Sequence, residues 1–336
     1  MIAPQTAASR LSVVIPTHNR RDLVVRAIDS VLAQARDLQC EVIVVDDGSV
    51  DGTDETVFRK YRDDPRVSLL RSVRRHASGA RNLGFAAARG SYVCFLDSDD
   101  YWLPGTVETV VAIFRDHPHL GFVSVDGGTI ETVHQPALQR IVAGDAPGWS
   151  HADFPHHVLA SERRSAPDAR NVNLLYGDFF PAIVNGDLFY LSGLIIRREV
   201  VERAGPFNER FRYFNDWEFF ARVCSLGPGA YVDYDGFRRA TGQPDQISRR
   251  RAPTAMARRR LFIVHTQQRR FAHAAESDRR QVLQRALDDA HYAMARCLAD
   301  TPHRQWCRWY LYRCIRRGHK VLRCLALLAG GRFFAQ

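Results

Sequence analysis

Short apolar runs alternate with stretches of helically spaced apolar residues over the first hundred positions of the chain. The runs are rich in Val, Ile and Leu, which predicts short buried strands. They span residues 11–16, 40–45, 67–70 and 92–96. The stretches between them predict helices over residues 21–35, 54–61 and 77–88. Because strands alternate with helices, we expect an α/β fold with a Rossmann-like, mostly parallel central sheet flanked by helices.

The pattern weakens after about residue 121 and returns further along. Residues 127–190 are rich in Pro, Gly, His and Asp and have few clear periods, which predicts a substrate-binding insertion or a lid. Strands then follow at 191–196 and 230–234, and helices at 198–204 and 216–225. From about residue 251 the pattern is helical almost to the end, which predicts a C-terminal helical extension.

The composition indicates an ordinary globular protein with an anionic partner. The 336 residues are 46% hydrophobic and 25% charged, which is enough for a sizeable core. The formal net charge is +10, and Arg clusters at 249–251, 258–260 and 313–332 suit acidic lipid or a phosphorylated substrate. For any single cluster, a solvated Arg-rich surface is the preferred explanation. We expect no nucleic acid, because these runs lack the aromatic and Gly signature of an RNA-binding sheet.

The spacing of the cysteines and the lengths of the apolar runs indicate the cellular compartment of the protein. Seven Cys with no Cys-x-x-Cys spacing argue against a zinc site or a disulfide framework. The first ten residues lack the apolar core of a signal peptide, and no run approaches the roughly 20 apolar residues of a membrane span. We therefore expect a cytoplasmic protein. Residues 303–336 combine Arg with Trp, Tyr and Leu, which predicts either peripheral attachment to the inner face of the cell membrane or a helix packed on protein.

Polar clusters follow three of the predicted strands, where binding residues of parallel sheets gather. Asp97-Ser98-Asp99 follows the fourth strand, and two carboxylates one residue apart suit Mg²⁺ or Mn²⁺ bound to a diphosphate. A turn or a helix cap is the simpler interpretation of such a short motif.

The other two clusters suit a nucleoside. Asp46 and Asp47 follow the second strand, where a carboxylate can accept from a base or a ribose hydroxyl, or merely shape a turn. Pro16-Thr17-His18-Asn19 ends the first strand, with Thr17 a nucleoside contact and Asn19 a plausible helix cap. Arg81 opens the third helix, where a guanidinium can reach a diphosphate.

Together these segments resemble the family 2 glycosyltransferases, which have the GT-A fold. The matching segments occur in the family order and at about the family spacing. They are VVIPTHNR at 13–20, VVDDGS at 44–49 with DGT at 51–53, GARNLG at 79–84 and FLDSDD at 95–100. The resemblance is strong over residues 11 to about 120 and weaker to about 250.

The resemblance implies an inverting transfer from a nucleotide-diphospho-sugar to a hydroxyl acceptor, in cell-surface polysaccharide or glycolipid synthesis. It makes residues 11–126 the nucleotide-sugar-binding half, 127–250 the acceptor half with the catalytic base, and 251–336 a helical basic extension. The implied donor is a UDP- or dTDP-sugar, and the acceptor is a saccharide or a lipid-linked group. His18 departs from the Tyr that is usual in the family.

The resemblance also assigns roles to the residues at the strand ends. The donor contacts are Pro16, Thr17, Asn19, Asp46, Asp47, Arg81, Asp97 and Ser98, and the metal ligands are Asp99 and Asp97. The implied metal is Mg²⁺ or Mn²⁺, bound at the Asp-x-Asp motif.

The catalytic base is expected where an acidic pair opens a helix in the second half. Asp216 occupies that position, whereas Asn215 replaces the acid that usually precedes it. A carboxylate there would deprotonate the acceptor hydroxyl. Glu218 is the second candidate, but helical geometry turns it away. Favourable interaction with the helix dipole is the structural alternative for Asp216.

A second departure concerns a downstream His, which many family members use at the metal or diphosphate. Residues 237–244 contain none, so water and diphosphate oxygens complete the metal shell or Arg238 or Arg239 compensates leaving-group charge. Both departures keep open a catalytically weak nucleotide-sugar or glycan-binding module of the same fold. A nucleotidyltransferase would carry a Gly-rich loop near the first strand, and residues 17–22 contain no Gly.

Overall fold

The computed structural model describes nine stretches of the chain. They are residues 10–34, 39–129, 159–166, 171–186, 188–211, 214–240, 253–271, 277–299 and 304–328. The structure divides into two compact units: Met1–Phe179 with Leu188–Pro244, and Phe180–Asp187 with Asp245–Gln336.

The first unit is built on one sheet of ten strands. In chain order the strands are β1 (Arg10–Thr17), β2 (Gln39–Asp46), β3 (Val67–Arg71), β4 (Tyr92–Phe95), β5 (Asp100–Trp102), β6 (Phe122–Thr129), β7 (Leu159–Ser165), β8 (Asn171–Gly177), β9 (Leu194–Arg197) and β10 (Gly229–Arg239). Their spatial order is β3-β2-β1-β4-β9-β6-β10-β8-β7, with β5 paired to β10. The pairs along β3-β2-β1-β4 are parallel, whereas β9 runs antiparallel between β4 and β6.

Helices flank this sheet in the first unit. They are α1 (Arg21–Leu32), α2 (Thr53–Tyr61), α3 (His76–Ala87), α4 (Thr106–Asp116), α6 (Arg198–Ala204) and α7 (Asn215–Cys224). In α1 the residues Val24, Ala27, Ile28 and Val31 are buried, as the helical spacing predicts. They pack in one core with strand residues such as Val13. Each buried Val or Ile side chain among them contributes about 1.5–3 kcal/mol relative to exposure.

The second unit is helical. It contains α5 (Phe180–Ile183), α8 (Pro253–Arg270), α9 (Ser277–Leu298), α10 (Arg304–Arg316) and α11 (Val321–Leu328). Its core includes Met294 and Leu298 of α9 with Leu311 and Cys314 of α10. None of the helices in the described stretches has the length and apolar content to cross a membrane.

The fold class predicted from the sequence is confirmed: a large, mostly parallel central sheet with flanking helices, followed by a helical extension. The four early strands and three early helices lie within one to three residues of their predicted ends. The weakly patterned region 127–190 was expected to lack regular elements, yet it contains β7 and β8. Residues 191–193 form a 3₁₀ turn before β9, where the sequence predicted one continuous strand.

Candidate active site

The carboxyl ends of β1 and β2 place two of the predicted clusters side by side. Thr17 and Asp46 are partners in the parallel register, and the Asp47 N–H donates to the Thr17 carbonyl at 2.8 Å. Pro16 lies buried within β1. The Thr17 hydroxyl is also buried, and no hydrogen-bond partner for it lies within the described residues. An uncompensated buried hydroxyl at a strand end is a candidate ligand contact.

The two carboxylates after β2 shape the loops around them. Asp46 accepts from the Ser49 hydroxyl and from the Ser49 N–H at 3.2 Å, which closes a tight turn. Asp47 accepts from the Arg75 N–H at 2.6 Å, just before α3 begins. Both side chains are buried. Asp47 therefore connects the β2 end to α3, whereas Asp46 bonds within its own turn.

Asn19 connects the loop between β1 and α1 to the loop that follows β2. It has a left-handed backbone (φ 52°), its Oδ1 accepts from the Val50 N–H at 2.8 Å, and its own N–H donates to Ser49 Oγ at 2.9 Å. His18 bonds to the Asp47 carbonyl at 3.0 Å, and Arg74 donates to its other ring nitrogen. These contacts hold the β1 and β2 loops together.

Arg81 connects the Asp-x-Asp motif to the start of α7. Its Nη2 donates to Asp97 Oδ1 at 2.6 Å and its Nη1 donates to Asn215 Oδ1 at 3.1 Å. Asn215 Nδ2 in turn donates to Ser78 Oγ at 2.7 Å. The Arg81 side chain is only 7% exposed, so these bonds form in a low-dielectric setting where losing one is costly.

Ser192, in the 3₁₀ turn before β9, fixes the shape of the Asp97–Asp100 segment. Its hydroxyl accepts from the Asp97 N–H at 3.2 Å and donates to Asp100 Oδ2 at 2.5 Å. Its carbonyl accepts from Trp102 Nε1 at 2.7 Å. Burial, together with the charges of Asp97 and Asp99, raises the pKa of Asp100 well above its usual range. Sequence reasoning missed both Ser192 and Asp100 as parts of this site.

Asp99 forms an ion pair with Arg20. Arg20 Nη1 is 2.5 Å from Asp99 Oδ2, and the Ala240 N–H donates to the Asp99 carbonyl at 3.3 Å. Burial and the neighbouring Asp97 charge raise the pKa of the Asp99 carboxyl, while Arg20 acts in the opposite direction. Ser98, between the two carboxylates, is buried.

The chemistry of this segment fits a divalent cation. Asp97 and Asp99 offer hard oxygen ligands, and their mutual repulsion is the kind that a cation relieves. In the described part of the chain no three His, Cys, Asp or Glu side chains converge on one point. A cation here would therefore complete its shell with water or ligand oxygens.

The end of β10 brings one of two candidate arginines to the motif. Arg239 pairs in register with Asp100, and its guanidinium lies 3.8 Å from the centre of the Tyr190 ring. Arg238 is instead paired with Asp235, with Nη2 2.7 Å from Oδ2. The register thus puts Arg239, rather than Arg238, beside the acidic segment. Residues 241–244 belong to the segment in which many family members have a His, and they lie outside the described residues.

Asp216 is the second residue of α7 and is partly exposed. Its Oδ1 accepts from the Trp217 N–H at 2.9 Å, as a carboxylate at a helix start does. Glu218 is buried and paired with Arg222 at 2.9 Å, one turn along the same helix. Glu218 is therefore buried against Arg222 of its own helix, and the partly exposed carboxylate at this helix start is Asp216.

Comparison with known proteins shows what the first half of the chain resembles. Residues 12–168 match glycosyl transferase family 2. An uncharacterized glycosyltransferase of Nostoc sp. is 33% identical over 229 residues, 66% of this chain and 60% of that protein. A GalNAc(5)-diNAcBac-PP-undecaprenol β-1,3-glucosyltransferase of Campylobacter jejuni is 39% identical over 105 residues, 30% of this chain and 33% of that protein. The chain thus spans less than two thirds of either relative.

Two solved structures share the fold. Staphylococcus aureus TarS 1–349, in complex with UDP-GlcNAc, aligns with a TM-score of 0.56 at 17% identity over 97% of this chain and 93% of that one. A mannosyltransferase of Pyrobaculum calidifontis, in complex with GDP-Man and Mn²⁺, aligns with a TM-score of 0.51 at 21% identity over 97% and 80%. Residues 12–168 of the chain therefore resemble glycosyl transferase family 2, and the chain has the GT-A fold.

Proposed function

We propose that this chain is an inverting glycosyltransferase that moves a sugar from a nucleotide-diphospho-sugar to an acceptor hydroxyl. The observation that carries the proposal is the Arg81 bridge, which ties the Asp-x-Asp segment to the start of the Asp216 helix. A donor held at the first element and an acceptor activated at the second are what a direct transfer needs.

Donor binding is assigned to the strand ends. Thr17 offers its buried hydroxyl to the nucleoside, and Asp47 is the carboxylate that reaches across the loops. Asp46 and Asn19 support the site through the turn that they close. Arg81 holds Asp97 in position. UDP- or dTDP-sugars are the proposed donors, and the UDP-GlcNAc complex of TarS supports this class.

Asp216 acts as the general base. Its carboxylate takes the proton of the acceptor hydroxyl while that oxygen bonds to the anomeric carbon, and the bond from this carbon to the diphosphate oxygen breaks. Attack opposite the leaving group inverts the anomeric centre. A Mg²⁺ or Mn²⁺ ion held by Asp97 and Asp99 supplies positive charge to the diphosphate when bound. Arg239, placed beside this segment, adds charge compensation from the protein itself.

The acceptor is proposed to be a saccharide or a lipid-linked group of cell-surface polysaccharide or glycolipid synthesis. The Campylobacter relative is named for an undecaprenol-diphosphate acceptor, which supports the lipid-linked alternative. Residues 127–250 are proposed as the acceptor half of the protein, since they include Asp216 and the pattern-poor segment.

The outward face of α10 supports attachment to the inner face of the cell membrane. Trp306, Trp309 and Tyr312 are 52%, 44% and 59% exposed, and the Arg313 guanidinium lies 4.7 Å from the Trp309 ring centre. Aromatic side chains next to Arg are typical of surfaces that lie in the headgroup region of anionic bilayers. We propose that this face binds the membrane on which a lipid-linked acceptor would lie.

A donor screen tests the proposal. Full-length protein is titrated with UDP- and dTDP-sugars with and without Mn²⁺, and nucleoside diphosphate release is measured with candidate acceptors. We expect a thermal shift with one donor class that needs the metal and is lost in Asp99→Ala. Asp63→Ala, at a 91% exposed carboxylate, is the matched control and should behave as wild type. Binding without any release would favour the nucleotide-sugar-binding module, and no binding at all would overturn both.

A further inference from the structure

Arg20 neutralises the carboxylate that the metal would need. Its Nη1 lies 2.5 Å from Asp99 Oδ2, and the two side chains are 17% and 20% exposed. At this distance the guanidinium covers the carboxylate edge that it contacts. A cation that binds through Asp99 Oδ2 must therefore displace Arg20.

The backbone of Arg20 is held firmly, so only its side chain is left to move. The Arg20 N–H donates to Thr53 Oγ1 at 3.1 Å, and the Arg20 carbonyl accepts from the Val24 N–H at 2.9 Å in the first turn of α1. The two anchor points lie in the first turns of α1 and α2, the helices that follow β1 and β2 along the chain. A long flexible side chain on a fixed backbone can exchange partners within the site.

The electrostatics of the segment favour a positive charge next to Asp99. Asp97, Asp99 and Asp100 lie close together in the chain, and the side chains of Asp99 and Asp100 are largely buried. Grouped carboxylates in a partly desolvated position repel one another, which a positive charge offsets. Arg20 supplies that charge from within the chain.

We propose that Arg20 is an exchangeable counter-ion, which pairs with Asp99 in the free protein and transfers to the donor diphosphate when a divalent cation takes Asp99. The proposal rests on the proposed function of the site. Carboxylate and phosphate offer a guanidinium the same planar pair of acceptor oxygens, so one bond set replaces the other. Positive charge therefore remains at the acidic segment throughout, and metal and nucleotide bind together more readily than either alone.

Calorimetric titration of full-length protein tests this exchange. Mn²⁺ is titrated alone, and UDP is titrated in saturating Mn²⁺, into wild type and Arg20→Gln. Removing the competing guanidinium should tighten Mn²⁺ binding about three- to tenfold, and removing the diphosphate contact should weaken UDP binding by about the same factor. Arg21→Gln, at a 54% exposed neighbour paired with Asp22, is the control and should change neither affinity.

Results that contradict the exchange can be distinguished from a failure of the proposed function. If wild type binds neither Mn²⁺ nor UDP, the proposed function itself fails. If wild type binds both and Arg20→Gln leaves Mn²⁺ affinity unchanged or weaker, the exchange is wrong while the function stands. Should Arg20→Gln unfold, Arg20→Lys keeps the charge but lacks the fork: it should retain wild-type Mn²⁺ affinity and lose UDP affinity, and unchanged UDP affinity would overturn the proposal.

Discussion

Arg81 and Asn215 form a buried hydrogen bond of 3.1 Å between residues 134 positions apart in the chain. The same guanidinium donates to Asp97, so one side chain spans from the Asp-x-Asp segment to α7. With Asn at position 215, Arg81 balances the charge of Asp97 alone. Where the family usually has an acid, Asn215 thus offers Arg81 a neutral amide oxygen rather than a second carboxylate.

Arg81→Gln should lower both stability and donor binding. Asp97 loses its charged partner and buried Asn215 loses a donor, which should cost about 1–3 kcal/mol in the free energy of unfolding. Urea denaturation measures this loss. Arg59→Gln, at a 75% exposed helix-surface pair, is the control and should change stability by less than about 0.5 kcal/mol. Equal small effects in both variants would contradict the bridging role.

Asp216→Asn should abolish turnover while donor binding survives. Loss of a general base lowers kcat by about 10²–10⁴-fold, and the donor contacts lie on other elements. Kinetics measure kcat, and calorimetry measures UDP affinity. Glu199→Gln is a matched control, because Glu199 is an exposed acid in the first turn of α6 and shares the helix-dipole interaction. If both variants lose a little stability and keep their turnover, Asp216 is only a helix-start charge.

Ser192→Ala should disturb the acidic segment without touching a ligand. The hydroxyl joins the Asp97 N–H to the Asp100 carboxylate, so its removal leaves two polar groups without that partner. We expect about 1–3 kcal/mol less stability and a weaker Mn²⁺ affinity. Ser225→Ala is the control: this buried Ser donates to a carbonyl of its own helix, so stability falls slightly and Mn²⁺ affinity stays. Unchanged Mn²⁺ binding in Ser192→Ala would show that the segment holds its shape alone.

The parts of the site that the sequence predicted share one property: they follow strands with strong apolar patterns. A parallel sheet brings the carboxyl ends of such strands to one edge, so the strand pattern alone groups Thr17, Asp47 and Asp97. It does not reach Ser192, which contacts Asp97 from 95 residues away and lies in a 3₁₀ turn where the sequence predicted a continuous strand. Such contacts depend on strand order, and β9 inserts antiparallel between β4 and β6, which no local pattern encodes.

The edge strand β7 was missed for a related reason. Leu159–Ser165 reads LASERRS, a mostly polar sequence at the edge of the sheet. An edge strand exposes much of its surface, so it needs no continuous apolar run and leaves no strong signal. From the sequence, Arg20 could be recognised only as part of a matching motif. Its ion pair with Asp99 was not predicted, because that pair depends on β1 and β4 being neighbours in the sheet.

His291 should make the helical unit less stable as the pH falls. Burial and the nearby Arg313 charge lower its pKa to about 4, with Asp288 acting in the opposite direction and His265 and Arg317 adding to the decrease. The unfolded chain, with a His pKa near 6.5, takes up the proton first. Stability is therefore complete above a pH of about 6.5 and is lost as the pH falls towards about 4, by roughly 3 kcal/mol.

Urea midpoints between a pH of about 7.5 and about 4 measure this dependence. His291→Leu should flatten the slope in that window, since it removes the titrating group from a buried position. His119→Leu, at an exposed ring in the other unit, is the control and should keep the wild-type slope. An unchanged slope in His291→Leu would assign the acid sensitivity to other groups.

Replacing the two Trp of the α10 face should release the protein from anionic vesicles. Trp306 and Trp309 are 52% and 44% exposed, so Ser at both positions removes exposed apolar area from the bilayer contact. Loss of roughly 1–2 kcal/mol should lower the bound fraction about tenfold at limiting lipid in a sedimentation assay. Phe262→Ser, at a 40% exposed aromatic on α8, is the control and should bind as wild type.

Binding to anionic vesicles should also weaken as salt rises, because the Arg side chains beside the Trp are screened. Equal binding of the double variant, or equal binding of wild type to neutral vesicles, would assign this face to a protein contact instead.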